Sequence, residues 1–263
     1  MGRLIEKIDL NGTPAAVLHN ATGKAPVLLV CEHAANRIPD ALDNLGLDEA
    51  TRLSHVAWDP GALAVAQEIS HILDARLVAS TISRLVYDCN RPPEAPGAMP
   101  KRSEIFDIPG NKNLNDTEKA ARVATVYEPF RSLLAETIAP TQTPLVLVTI
   151  HSFTPVYLGK KRDVEIGILH DHDTRLADAI LNLAPKHTKL NVRRNDPYGP
   201  DDGVTHTLKL HALPNGLLNV MIEIRNDLIA TTDQQLAVAK MLAGLIEDAL
   251  AKTEHETEAQ CHA

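Results

Sequence analysis

Three short runs constrain this chain more than anything else in it: Pro26–Glu32 (PVLLVCE), Leu145–Ile150 (LVLVTI) and Leu218–Ile224 (LNVMIEI). Each is β-branched and almost continuously apolar, the pattern of a strand buried on both faces. A sheet made of such strands needs helices on both sides, and the intervening sequence supplies them. Asp59-Pro60 reads as an N-cap and first helical residue, with apolar periodicity through Leu73. Asn115-x-x-Glu118 resembles a capping box opening a helix to about Ile138, and Thr174–Leu183 reads as another. Thr232-x-x-Gln235 opens a closing helix that reaches Lys252. This alternation predicts an α/β fold, a single domain over residues 1–254 with a mixed, mostly parallel β-sheet flanked by helices on both faces. A polar tail, 255–263, follows.

Weaker signals fill in the rest. Arg76–Ser80, Leu85–Asp88, Glu165–Leu169 and Asn191–Arg194 read as further strands, and Leu4–Leu10 with Pro14–His19, alternating around Asn11-Gly12, as a small hairpin or edge strands. Pro92–Leu114 and Asn195–Thr205, rich in Pro, Gly, Asn and Asp, read as long loops of the kind that often cover an active site.

Composition narrows the function. The formal net charge of -8 argues against a nucleic-acid groove, although a local basic pocket for a small anion remains compatible with it. No apolar run approaches the roughly 20 residues that span a bilayer, and the N-terminus lacks the apolar core of a signal peptide. Cys31, Cys89 and Cys261 form no paired motif, which fits a reducing compartment. The expectation is a cytoplasmic protein with no membrane or nucleic-acid partner; nothing in the sequence speaks to its oligomeric state.

All three buried runs end in ionisable side chains. VLLVC runs into Glu32 and His33, LVLVTI into His151, and NVMI into Glu223 and then Arg225. In open α/β sheets ligands bind beyond the carboxyl ends of the strands, so these residues predict one shared site. Neutral imidazoles are favoured zinc ligands, and a catalytic zinc usually keeps three protein ligands and one open position. A neighbouring carboxylate then serves as the base for an attacking water. His33 and His151 are the expected ligands of one divalent ion, zinc, and Glu223 the base. Glu32, Asn36 and Asp59 are candidates for the third ligand. Read structurally, Asp59 would only cap a helix.

At these residues the sequence resembles the N-formylglutamate amidohydrolase family. The likeness covers most of the chain and rests on EHAANRIP (32–39), WDPGA (58–62), SRLVYDCNRP (83–92), IHSFTP (150–155), DGVTHT (202–207) and IEIRNDL (222–228). Short segments also resemble the zinc carboxypeptidases. That second resemblance implies His33 and His151 as zinc ligands, Asn90 and Arg91 as binders of a substrate carboxylate, and Glu223 as general base. Asn36 stands where the carboxypeptidase pattern has a ligand glutamate. Asp59, inside WDPGA, is the expected substitute, with Asn36 through its amide oxygen as the alternative. The resemblance implies a zinc-dependent hydrolase of a linear amide, taking a small anionic N-acyl amino acid such as N-formylglutamate. Another N-acyl amino acid, a short peptide, or a metal-free binding protein of the same fold are the competing expectations.

Other polar residues have weaker claims. Arg91 offers a planar fork for a carboxylate, Arg84 either the same or a donor to the scissile carbonyl, and Arg225 either substrate contact or a buried ion pair. His170, Asp171, His172 and Asp173 read as turn and capping residues; Tyr198 and His206 border the second loop. Cys31 and Cys89 read as small core residues.

Overall fold

The structure is a computed structural model, and it describes residues 7–139 and 145–261. Seven strands build the main sheet: β1 (Ala16–His19), β2 (Val27–Cys31), β3 (Arg76–Ser80), β4 (Val146–Phe153), β5 (Ile166–Leu169), β6 (Val192–Arg194) and β7 (Leu218–Arg225). Their order is β1-β3-β2-β4-β7-β5-β6. Strands β3, β2, β4 and β7 are mutually parallel, while β1 and the β5–β6 pair run antiparallel to their neighbours β3 and β7. This is the mixed, mostly parallel sheet the sequence predicts.

The continuous apolar runs are explained by two cores, one on each face. Alternate residues Val27, Leu29 and Cys31 of β2 join Val146, Val148, Ile150, Val220, Ile222 and Ile224 in the first core. Helices α1 (Ala62–Leu73), α4 (Arg175–His187) and α5 (Thr232–Cys261) cover that face. The intervening Leu28, Val30, Leu147 and Met221 point into the second core, closed by α3 (Glu128–Ile138) and the chain around Ile82–Cys89. A period of two along each strand thus feeds both layers at once. Helix α2 (Asp116–Arg122) precedes α3, and Asn115 and Glu118 form the expected capping box at its start. No helix among the described residues is long and apolar enough to cross a membrane.

Four local expectations differ from the structure. Around Asn11-Gly12 the described residues form no hairpin: Lys7–Leu10 is irregular, residues 1–6 lie outside the described chain, and Ala16–His19 is an edge strand, the other expectation for this segment, paired with Arg76–Ser80. Leu85–Asp88 is a buried turn, not a strand. Its apolar side chains fill the second core, while Asn111 and Arg122 donate to the carbonyls of Leu85 and Val86 and replace the ladder bonds. The closing helix continues to Cys261, past Lys252. Finally, Asp59 does not cap α1. Gly61 holds the cap position with φ 82°, and the Asp59 side chain is released into the crevice above the sheet.

That release depends on Gly61. A Cβ there would lie 2.6 Å from the carbonyl oxygen of Ile229, and the left-handed φ is costly for any other residue. Gly61→Ala is expected to destabilise the protein by roughly 2 kcal/mol or more. A urea midpoint equal to that of the parent protein would contradict this.

Candidate metal centre and active site

The chain moves outward from β2 to β3 and then returns to place β4 on the other side of β2. Such a reversal opens a crevice at the carboxyl ends of the two strands. His33 follows β2 directly, Asp59 comes from the connection between β2 and α1, and His151 lies within β4. Glu223 stands beside His151 in the β4–β7 ladder. All four are buried.

Three donor atoms converge there. Asp59 Oδ2 lies 2.8 Å from His151 Nδ1 and 3.2 Å from His33 Nδ1, and the two Nδ1 atoms are 3.2 Å apart. The far side of each imidazole faces another carboxylate. His33 Nε2 is 2.7 Å from Asp88 Oδ1; His151 Nε2 is 3.0 Å from Glu32 Oε2, close but off the hydrogen-bond axis. Carboxylates in these places favour the proton on Nε2 and leave Nδ1 as a lone pair. Arg84 straps the assembly, with Nη1 3.3 Å from Asp59 Oδ1 and Nη2 3.3 Å from Asp88 Oδ2. The backbone N–H of Ser152 also donates to Asp59 Oδ2.

Lone pairs at these separations repel one another unless a cation or protons sit among them. Among the described residues, Arg84 alone supplies a guanidinium in ion-pair contact with Glu32, Asp59, Asp88 and Glu223, so these five groups carry a formal excess of three negative charges. Protons can supply part of the balance. Burial and Arg84 oppose charge on His33, but Asp88 and Asp59 outweigh them and raise its pKa. Burial opposes charge on His151 too, yet Glu32 and Asp59 lift it well above the ordinary histidine value. The carboxylates respond in kind. Burial works against Asp59 and Asp88, but the facing imidazoles, and for Asp88 also Arg84, hold both far below the usual range. Burial likewise opposes charge on Glu32, and His151 outweighs it.

A divalent ion fits the same set. Two neutral imidazoles and one carboxylate form a usual catalytic zinc trio, and ligands sharing a zinc at about 2.0–2.2 Å are themselves roughly 3–3.5 Å apart. His33, Asp59 and His151 are the possible metal-binding group among the described residues. Glu223 behaves differently from the other acids. Burial, reinforced by Asp59, pushes its pKa up to about 7 against the pull of His151, His33 and Arg84, and its Oε2 is buried without a hydrogen-bond partner.

These residues floor a cavity of about 270 Å³ whose walls include Asn90, Arg91, His55, Glu104, Tyr157 and Tyr198. The volume lies at the small end of ligand pockets, suited to a compound of amino-acid size.

Comparison with known proteins agrees with this architecture. The family model for N-formylglutamate amidohydrolase matches residues 25–230, a span that holds every residue lining the cavity. The chain belongs to the N-formylglutamate amidohydrolase family. It is 56% identical to gene product Atu2144 from Agrobacterium tumefaciens, whose crystal structure superposes with a TM-score of 0.92 over 95% of this chain and 100% of that one. N-formylglutamate amidohydrolase from Ralstonia eutropha JMP134 shares the fold at 17% identity, with a TM-score of 0.58 over 94% of this chain and 100% of that one. No curated protein matches the chain. Membership makes this an amidohydrolase by family.

Against that family frame, the sequence-predicted residues separate into two groups. His33, Asp59, His151, Glu223, Arg84, Asn90 and Arg91 all line one cavity. Asn36 does not: its side chain donates to the Arg52 carbonyl at 3.3 Å. Arg225 does not either, because Glu165 and Asp227 hold its guanidinium at 3.3 and 2.8 Å. Glu32 lies behind His151 rather than among the donors. Asn90 spends its amide on the second loop, donating to the Val204 carbonyl and accepting from Thr207 N–H. His170 accepts from Arg194, and Asp171 holds Thr205 and Lys209.

Sequence reasoning passed over Asp88 as a partner of His33, gave His55 no role, and passed over Glu104 altogether. The four-residue spacing of Arg84 and Asp88 was a usable signal, since a helical turn brings such a pair together. Glu104 had none, because it arrives from the tip of a loop ribbon.

Two measurements check this description. In competition with a chelator, Asp59→Asn is expected to weaken zinc by on the order of 10²-fold or more, and Asn36→Ala to leave it nearly unchanged. The reverse ranking would transfer the third ligand to Asn36. In metal-stripped protein, a carboxyl whose folded pKa is raised favours the fold below its unfolded value of about 4.5 and loses that contribution as pH rises through about 7. Glu223→Gln should therefore stabilise the metal-free protein at pH 8 by up to about 3 kcal/mol and have little effect at pH 4. Thermal melts with no pH-dependent difference between the two proteins would remove the strained carboxyl from this account.

Proposed function

We propose that the protein hydrolyses the amide of a small N-acyl amino acid, with one divalent ion, zinc, held by His33, Asp59 and His151. The observation that carries this reading is the convergence of three donor atoms beside Glu223, a buried carboxyl with a free oxygen. When bound, zinc supplies a Lewis acid and lowers the pKa of a water molecule toward neutrality. The family makes N-formylglutamate the reference substrate, and the resident chemistry belongs to amino-acid catabolism. We assign it to the cytoplasm, where the free thiols of the buried Cys31 and Cys89 persist without oxidation.

The chain's own groups divide the work. Glu223 Oε2, buried without a hydrogen-bond partner beside the donor set, is free to take the proton of the attacking water and pass it to the departing amine nitrogen. The acyl carbon gains the water oxygen as its bond to nitrogen breaks, giving a carboxylate and a free amine. Arg91 Nη1 is tethered to the carbonyls of Gly203 and Asn90, which aims the remaining N–H groups at the cavity and suits them to the substrate carboxylate. Arg84 has both its Nη groups on Asp59 and Asp88, so positioning those carboxylates is a better-supported role for it than polarising the scissile carbonyl. Asn90 keeps the second loop over the cavity. The departure at Asn36, which spoke for a metal-free binding protein, is offset by Asp59 standing among the donors.

Kinetics separate the base from the anchor. Glu223→Gln keeps the shape but loses proton acceptance, and kcat should fall by on the order of 10² or more while zinc stays bound. Arg91→Ala should raise KM about 10- to 150-fold for a substrate with a free carboxylate and change little for its amidated analogue. Near-normal turnover in the first variant, or equal losses on both compounds in the second, would overturn these roles.

A further inference from the structure

Arg162 closes the base of the ribbon formed by Val156–Tyr157 and Lys160–Lys161, where its backbone N–H donates to the Pro155 carbonyl. It does not line the cavity itself, but its guanidinium stacks on three aromatic residues that do. Cζ lies 4.7 Å from the ring centre of Tyr157, 5.0 Å from that of Tyr198 and 5.5 Å from that of Phe153. These distances fall within the range of cation–π attraction. Nη1 donates to the Thr154 carbonyl at 3.3 Å, just past the end of β4, and Nη2 to the Tyr198 hydroxyl at 3.0 Å. No acid among the described residues forms an ion pair with Arg162, so the aromatic faces and these two acceptors hold its charge. Arg162 thereby ties Tyr198, on the second loop, to the strand that carries His151.

A phenol carries one proton, and its oxygen can also accept. With Arg162 donating from one side, the Tyr198 proton turns to the other, and among the described residues no acceptor receives it. Burial and the charge of Glu223 raise the Tyr198 pKa against the pull of Arg162 and Arg84, so the proton stays on the oxygen. The bond from Arg162 is charge-assisted; it polarises the O–H and makes it a stronger donor. Other donors around the cavity floor are committed: Arg84 to Asp59 and Asp88, His55 to Glu104, and Ser152 Oγ to the Pro60 carbonyl. Tyr198 thus brings an uncommitted donor into the cavity that holds Glu223. Glu223 and Arg84 are the floor groups whose charges act on this hydroxyl, which assigns it to the reacting end of the substrate, while Arg91 takes the carboxylate.

We infer that the Tyr198 hydroxyl donates a hydrogen bond to the acyl oxygen of the substrate, and that Arg162 is the positioning residue that aims it. The inference rests on the reading of the site as an N-acyl amino acid hydrolase and adds to it a donor that the chain itself supplies. As the water oxygen bonds to the acyl carbon, the C=O π pair moves onto the acyl oxygen. It returns when the C–N bond breaks and the nitrogen takes the proton held by Glu223. A donor aimed at that oxygen counts most when the charge is greatest, so its loss acts on kcat more than on KM.

Tyr198→Phe keeps the ring on which Arg162 stacks and removes only the hydroxyl. In zinc-loaded protein acting on N-formylglutamate, its kcat should fall about tenfold or more while KM changes by less than about fivefold. Arg162→Met should lower kcat in the parent and have no further effect in the Tyr198→Phe background, since the guanidinium acts through the hydroxyl. Calorimetry on the zinc-loaded Glu223→Gln protein gives a readout without turnover. There Tyr198→Phe should weaken N-formylglutamate about two- to fivefold and leave glutamate, which lacks the acyl oxygen, unchanged. A kcat within about threefold of the parent overturns the role of Tyr198 and leaves the hydrolytic reading standing. Equal weakening of both compounds does the same, because the hydroxyl would then be meeting a carboxylate. Additive losses in the double variant overturn the role of Arg162. The acyl-specific binding difference without turnover in the parent upholds the donor and overturns only the hydrolytic reading.

Discussion

The carboxylate of Asp59 is the contact on which the rest of the site depends. One of its oxygens lies against both imidazoles, 2.8 and 3.2 Å away, while the other is held by Arg84. Remove it, and His33 and His151 face each other across 3.2 Å with nothing between them that favours a cation. Because Arg84 also reaches Asp88, and Asp88 orients His33, three connections of the sheet are tied at one atom cluster. Buried charges of this density are tolerated only in mutual compensation, which makes the cluster sensitive to the loss of any member.

Much of this was legible in the sequence because it is written in strands. VLLVC, LVLVTI and LNVMI leave no alternative to a two-sided sheet, and their polar ends had to emerge in the same crevice once the strands were parallel. Thus His33, His151 and Glu223 could be named before any geometry was known. What could not be read lies in segments whose local pattern was misleading. LVYD looks like a strand, yet becomes a turn because Asn111 and Arg122, more than 20 residues away, satisfy its carbonyls. Asp59-Pro60 looks like a helix start, yet Gly61 takes the cap position with a positive φ and frees the carboxylate. In both places tertiary contacts outweigh a local preference of order 1 kcal/mol.

The walls of the cavity obey a different logic from its floor. Of the floor residues, His33, His151 and Glu223 stand on or next to strands, where backbone hydrogen bonds fix their positions, and Asp59 is pinned by Arg84 and the Ser152 N–H, while Arg91, Glu104 and Tyr198 come from loops. Loops gain precision here through reciprocal bonds: Asn90 pins the segment at Val204–Thr207, and Glu104 ties its ribbon to His55 and to Leu158. The donor set therefore sits mostly on the rigid part of the molecule, and the cavity walls on the adjustable part.

That division explains why family membership settles less about the substrate than about the reaction. At 17% identity the Ralstonia eutropha protein shares the fold, and a shared fold fixes where strand ends meet without fixing what a ribbon tip presents to them. A wall residue such as Glu104 costs the protein a strained turn and a mostly buried carboxylate, neither of which the sheet requires. Strain retained at a cavity wall points to what the wall presents to the cavity, since packing alone would be served better by an uncharged side chain in an ordinary turn.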